Sequence, residues 1–397
     1  MSAPVRPGRS SVLVGARVVL PDRVLPDGWV AVRDGRIEAV GTGAPPDGDA
    51  TDLGGGWLLP GFIDLHMHGG GGHDVTASAA KLAAAVDFHR SHGTTRTLVS
   101  LVSAPLDALA EQLGWIAELH QARPDQVLGA HLEGPFLSPA RRGAHHPEYL
   151  RYPDVTVFDA LADAARGTLR VLTLAPELPG ALDVIAAARA RGVIVAVGHT
   201  DADYDATRAA IDAGARLATH LFNGMRPLHH REPGVVGAAL AADLPCELIN
   251  DGVHVHPSIV ALVARSPGRL VLVTDAIDAA GLGDAEVVLG GQQVRVQNGQ
   301  ARLVSDGTLA GSTLTMADAV RAAVLDSGIP IEVAAAGAAT NPARVLGIGA
   351  ECGAITAGAA ADLVLLDDDL RLQRVMAGGR WCPTQTSAQS TTDAQIA

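Results

Sequence analysis

Between Phe62 and His68 apolar and polar side chains alternate, so Asp64, His66 and His68 share one face of an extended segment and Ile63, Leu65 and Met67 the other. Apolar runs of strand length recur at 95–102, 127–133, 170–176, 193–199, 217–223, 246–251 and 269–275. Ala-rich stretches at 79–91, 106–121, 181–191 and 203–213 lie between several of them and read as helices. Eight strands at this spacing predict an α/β fold, a (β/α)8 TIM-type barrel over residues 59–347. A doubly wound sheet is the competing layout. No GxGxxG opens a helix after the first strand, so a dinucleotide site is not indicated.

The two chain ends have a different rhythm. From Ser11 to Leu58, β-rich pieces such as Val12–Val14, Val18–Leu20, Trp29–Val32 and Ile37–Val40 are separated by turn signals, Pro21-Asp22 and Asp34-Gly35 among them. Such a unit is too small to be stable alone. After the eighth strand, residues 284–306 carry two short β pieces around Gly290-Gly291 and Asn298-Gly299, a predicted hairpin insert, and helices are expected near 315–327 and 330–338. Residues 361–366, 374–377 and 380–381 then return to β. The simplest assembly adds the late strands (348–382) to the early ones (1–58) in a small β-sandwich domain built from both ends. Residues 1–10 and 383–397 are expected to be a disordered lead and tail.

Composition narrows the partners. The chain has 397 residues, a formal charge of −13 and only 3% aromatic residues, which argues against nucleic acid as a partner. An anionic substrate would therefore need a local cationic pocket. Cys246, Cys352 and Cys382 are odd in number and form no CxxC, as expected of a reducing cytoplasm. No apolar run near the start is long enough for a signal peptide or membrane span, so no membrane partner is expected.

Metal-ligating residue types recur at the strand ends: His66 and His68 after strand one, Glu133 after three, His199 after five, His220 after six and Asp275 after eight. Barrel enzymes build their sites at that rim. Two imidazoles at i and i+2 can converge on one ion, with Asp64 behind them as an anchor. A bare HxH is weak evidence; the matching residues on later strands give it weight.

The strand-end pattern resembles the amidohydrolase superfamily, whose barrels hold one or two divalent metals. Many members bridge the metals with a carboxylated lysine at strand four. That is ruled out here, because Lys81, just past strand one, is the only lysine. Glu133 is then the candidate bridge. The resemblance sharpens to the N-acetylglucosamine-6-phosphate deacetylases through His131-Leu132-Glu133-Gly134-Pro135-Phe136-Leu137, Gly198-His199-Thr200, Thr219-His220-Leu221-Phe222-Asn223-Gly224-Met225, Arg231-Glu232-Pro233-Gly234, Asp251-Gly252-Val253-His254, Val273-Thr274-Asp275-Ala276 and Leu309-Ala310-Gly311-Ser312.

The resemblance implies that Glu133, His199 and His220 form the main metal site, and that Asp275 is the catalytic acid/base. It implies that Ala144 and His145 contact the substrate, as do Asn223 and Gly224, and that Arg231 and His254 hold its phosphate. Leu309, Ala310 and Gly311 match a loop closing over the sugar and acetyl group. Some members lack the HxH histidines and use one metal; His66 and His68 match those equipped for a second. The implied cofactor is one or two divalent ions per subunit, zinc first among Zn, Fe, Mn and Co. The implied partners are a phosphorylated N-acetyl amino sugar and a second copy in a homodimer, with His254 a candidate to reach across. The implied setting is cytoplasmic amino-sugar metabolism.

Elementary chemistry supports this transfer. A bound divalent ion lowers the pKa of water toward about 7, one nearby carboxylate can shuttle the proton to the leaving amine, and a phosphate in an acidic protein needs a local guanidinium. The enzymatic rival, a cyclic amidase or deaminase, leaves Arg231 and His254 without a role. A binding protein that has lost catalysis would be expected to have a broken ligand set. Gly69–Gly72 reads as a turn, since no Gly-Lys-Ser/Thr follows. His131 could pack or support the site, and His73, His229, His230 and Glu177 carry no assignment.

Overall fold

Eight parallel strands lie side by side in chain order: Phe62–Asp64, Thr94–Val102, Val127–Glu133, Leu169–Leu174, Ile194–Val197, Leu217–Ala218, Cys246–Ile249 and Leu270–Val273. The computed structural model describes residues 10–383, so nearly all of the expected lead and tail lies outside the described residues. The sheet closes on itself just beyond the ladders, where Asp275 N donates to His66 O at 2.8 Å and His68 N to Ala276 O at 2.8 Å. Thr274 Oγ1 also donates to Asp64 Oδ2 at 2.6 Å across the same seam. Both faces of these strands are covered, which is why they read as near-continuous apolar runs; Thr94–Val102 is buried at every position.

Helices Ala79–Ser91, Leu106–Ala122, Ala181–Ala190 and Tyr204–Ala213 stand where their periodicity predicts. Val155–Ala164, Gly234–Ala241 and Pro257–Ala264 join them, and Met316–Leu325, where a helix is expected near 315–327, completes the outer ring. Gly234–Ala241 reads GVVGAALA, with no polar stripe to give it a helical period, and Pro257–Ala264 is only eight residues long. Asp154 caps Val155–Ala164 by accepting from Thr156 N and Val157 N.

Strands from both chain ends share one sheet, in which Leu363–Leu366 pairs antiparallel with Trp57–Pro60. Its sandwich-like apolar cluster includes Leu13, Val30, Leu58, Ile355 and Leu363. Arg96 on the second barrel strand ties this sheet to the barrel through Asp362 at 2.7 Å. The insert after the eighth strand has three antiparallel strands, Ala285–Leu289, Gln292–Gln297 and Gln300–Leu303, rather than the two expected. It packs on Val102, Ile277 and Ala310 at the rim. Among the described residues no helix is long and apolar enough to cross a membrane, and the three cysteines are unpaired.

Candidate active site

The expected strands at 193–199, 217–223 and 269–275 are longer than the ladders observed, and the difference forms the site. Past the last ladder pair the chain turns, leaving His199, His220 and Asp275 at φ of 46°, 27° and 49°. Side chains rarely adopt that left-handed backbone, and where they do it often marks a functional site. The turns aim His199 and His220 at Glu133, which ends the third strand, and Asp275 at His66 and His68. Glu133 Oε1 lies 3.0 Å from His199 Nε2 and 2.9 Å from His220 Nε2. Its Oε2 lies 3.3 Å from His68 Nε2 and 3.4 Å from His145 Nε2. Asp275 Oδ1 sits 3.4 Å from His66 Nε2 and 3.2 Å from His68 Nε2.

Hydrogen bonds on the far side of three of the rings assign their protons, while His220 Nδ1 has no partner. His68 Nδ1 faces Ser100 O at 3.2 Å, His199 Nδ1 faces Arg141 O at 2.8 Å, and His66 Nδ1 faces Glu247 Oε2 at 3.2 Å. An acceptor at Nδ1 places the proton there and leaves a lone pair on Nε2. Yet His66 and His68 Nε2 are 3.0 Å apart, and His199 and His220 Nε2 3.1 Å. With both protons on Nδ1, the His66–His68 contact brings two lone pairs together, and such a contact repels unless a proton or a metal ion lies between. Ligands 2.0–2.1 Å from a tetrahedral ion sit roughly 3.3 Å apart, so the spacing fits. Two groups here could hold ions: His66, His68 and Asp275, and Glu133, His145 and His199.

His145 differs from the others in the second group. Ser103 N donates to its Nδ1 at 3.2 Å, so its proton is on Nε2, facing Glu133. His145 is thus a hydrogen-bond donor rather than a lone-pair ligand, and His220 takes its place beside Glu133 and His199.

The field of the site also calls for positive charge. Burial pulls His68 down, but Asp275 and Glu133 outweigh it and raise its pKa to about 9. Burial pushes Asp275 up, yet His66 and His68 hold it down at about 2. His145 goes the other way: burial lowers it to about 4 despite Glu133, and it stays neutral.

Beneath the site, His131 bridges Ser100 Oγ at 2.9 Å and Thr173 Oγ1 at 2.8 Å, an internal strut rather than a ligand. Asp64 holds backbone rather than imidazole, accepting from His66 N at 3.1 Å and Thr274 N at 3.3 Å. Gly143 and Gly224 flank His199; a Cβ on Gly224 would meet His199 Nδ1 at 2.7 Å. Glu177 accepts from Thr200 Oγ1 and Asp201 N, bracing the turn after His199.

A cavity of about 420 Å³ opens above this cluster. Ala144, His145, Asn223, Gly224, His254, Leu309 and Gly311 line it as the resemblance implies, and Ala310 is buried behind the lining. His254 faces the cavity of its own chain, with Nδ1 held by Asp251 at 2.7 Å. Arg231 does not join them: it is exposed on a loop, with Nη1 2.9 Å from His230 Nε2. The guanidinium that lines the cavity is that of Arg302, on the third strand of the insert. Sequence reasoning missed it, because it occupies an ordinary exposed position of an alternating strand. Glu247 was missed too, although a lone carboxylate in the apolar run Cys246–Ile249 was a usable signal.

Residues 57–382 match the amidohydrolase family. The N-acetylglucosamine-6-phosphate deacetylase of Bacillus subtilis (strain 168) is 38% identical over 364 residues, covering 89% of this chain and 92% of that protein. This chain belongs to the amidohydrolase family, among the N-acetylglucosamine-6-phosphate deacetylases. An N-acetylgalactosamine-6-phosphate deacetylase from Escherichia coli O157:H7 is 39% identical over 374 residues, 93% of this chain and 98% of its own length. A point mutant of the Mycobacterium smegmatis N-acetyl-D-glucosamine-6-phosphate deacetylase, solved with N-acetyl-D-glucosamine-6-phosphate, superposes with a TM-score of 0.90 at 43% identity, covering 94% of this chain and 99% of that one. The amidohydrolase superfamily is metal-dependent, and the converging Nε2 atoms of this member are suited to that requirement.

Proposed function

We propose that this deacetylase-family chain hydrolyses the acetamide of N-acetylglucosamine 6-phosphate to acetate and glucosamine 6-phosphate. The observation that carries the reading is the convergence of Nε2 atoms from His66, His68, His199 and His220 on Glu133 and Asp275 at one end of a cavity sized for a phosphosugar. Glu133, His199 and His220 would hold one divalent ion, and His66 and His68 a second beside Asp275, zinc being the first choice for such nitrogen and oxygen donors. When bound, the ion supplies a Lewis acid that makes water acidic near neutral pH.

The chain's own groups do the rest. Asp275, buried at 8% exposure but lining the cavity, takes the attacking water's proton and returns it to the departing amine. His145, with its proton on Nε2, donates to the acetamide oxygen as charge develops there. Asn223 and Gly224 hold the sugar, and the 309–311 loop covers it.

At the far end His254 meets the phosphate. Arg231 lies outside its own chain's cavity, so in this reading it reaches the phosphate from a second copy in a homodimer, and Arg302 contributes from within the chain. A cytoplasmic setting in amino-sugar metabolism completes the proposal.

The name of the Escherichia coli relative favours a second reading, the 4-epimer N-acetylgalactosamine 6-phosphate. Acetate release from both phosphosugars and from unphosphorylated N-acetylglucosamine, measured with the metal-loaded enzyme, tests both readings. Turnover of the glucosamine epimer should dominate. Equal turnover of the unphosphorylated sugar would refute the phosphate assignment.

A further inference from the structure

The imidazoles that turn an Nε2 lone pair toward the ion site are not anchored alike. His68 and His199 donate from Nδ1 to neutral carbonyls, Ser100 O and Arg141 O. His66 alone donates to a carboxylate, that of Glu247. Glu247 sits within the seventh strand, below the rim, and its side chain is fully buried. Its ion-pairing partner among the described residues is His66. The same Oε2 accepts from His220 N at 3.4 Å, while Oε1 is buried with no partner. A buried carboxylate with one oxygen unsatisfied is costly unless it faces positive charge. An ion on His66 would supply that charge through the ring.

We propose that Glu247 is a positioning residue for the ion held by His66 and His68. It keeps the His66 proton on Nδ1 and makes Nε2 the most basic lone pair of the set, so that occupancy of this arm depends on Glu247. Through His220 N it also ties that arm to the Glu133 arm across the barrel. The inference rests on the two-ion reading above.

The test is metal stoichiometry and affinity, independent of turnover. Metal-free wild type, Glu247→Gln and Glu247→Ala are dialysed against Zn2+ over a range of free concentrations, and bound ion is counted by elemental analysis. The wild type should bind two ions. Glu247→Ala should keep one near wild-type affinity and bind the other 10–100-fold more weakly, the usual loss when a ligand's supporting partner is removed. Glu247→Gln should fall between, because its amide oxygen still accepts from Nδ1 but carries no charge.

Thermal unfolding of the metal-free proteins controls for folding. If the alanine variant does not fold, the glutamine variant, of the same shape, decides. Two ions held by both variants at wild-type affinity would overturn the inference alone, as would equal weakening of both ions. A single ion in the wild type would overturn the two-ion reading and this inference with it.

Discussion

The placement of His199 can be tested without touching a polar group. Gly224 has φ of 57°, and a Cβ there would lie 2.7 Å from His199 Nδ1 and 3.0 Å from its Cε1. Ordinary contact begins near 3.4 Å, so Gly224→Ala requires the ring to retreat by several tenths of an ångström. Two bonds oppose that movement: Nδ1 to Arg141 O at 2.8 Å, and Nε2 in the cluster around Glu133 at 3.0 Å. The left-handed backbone itself costs a side chain about 1–2 kcal/mol. Gly192 isolates that cost, because its φ is 73° and nothing lies within 4 Å of its would-be Cβ. Gly192→Ala should therefore lower stability by about 1–2 kcal/mol and leave turnover intact. Gly224→Ala should add the loss of a hydrogen bond, about 1 kcal/mol. It should also lower kcat/KM by on the order of 10²-fold, the scale of a misplaced reacting group. Denaturant midpoints and acetate release on the two variants give both quantities. Turnover within threefold of Gly192→Ala would show that the His199 ring accommodates the methyl and that its position is not critical.

Much of the barrel was legible because parallel strands buried on both faces leave long apolar runs, as at Thr94–Val102. The helix Gly234–Ala241 was not, since an all-apolar segment has no helical period to read. Strand ends were overestimated for one physical reason. Residues such as His199 and His220 continue the apolar rhythm but leave the ladder by a backbone turn that no side-chain pattern announces. The fold gathers the motif residues around one cavity, except Arg231, which lies apart within one chain. What spacing alone could not convey was proton placement. His145 and His199 look alike as sequence letters, and only Ser103 N on one and Arg141 O on the other place the proton on Nε2 of the first and leave a lone pair on Nε2 of the second.

Glu133→Ala should lose bound metal outright, because Glu133 touches His66, His68, His199 and His220; normal metal content by elemental analysis would refute the assignment. Asp275→Asn should retain metal and substrate binding but lose about 10²-fold or more in kcat, since an amide cannot carry the proton; near-normal turnover would remove Asp275 from the mechanism. Arg231→Ala should lower kcat/KM by one to two orders of magnitude on the phosphosugar only, each charge-assisted contact being worth about 1.5–3 kcal/mol. Mixing Arg231→Ala with Asp275→Asn subunits should then restore activity, and a mixture no better than Arg231→Ala alone would exclude the partner copy as its source.

The last expectation concerns acid stability. His89 is fully buried, donates from Nε2 to Gly69 O at 2.7 Å, and leaves Nδ1 without a partner. Burial lowers its pKa from 6.5 to about 4. The unfolded chain thus binds a proton below pH 6.5 that the folded chain refuses until about pH 4, so stability present above 6.5 is lost as pH falls through that window. At about 1.36 kcal/mol per unit, the loss by pH 4 is about 3 kcal/mol. His89→Gln keeps a donor for Gly69 O and removes the titration. Its denaturant midpoint should fall less steeply than that of the wild type between pH 6.5 and 4, and parallel curves would show that His89 does not resist protonation.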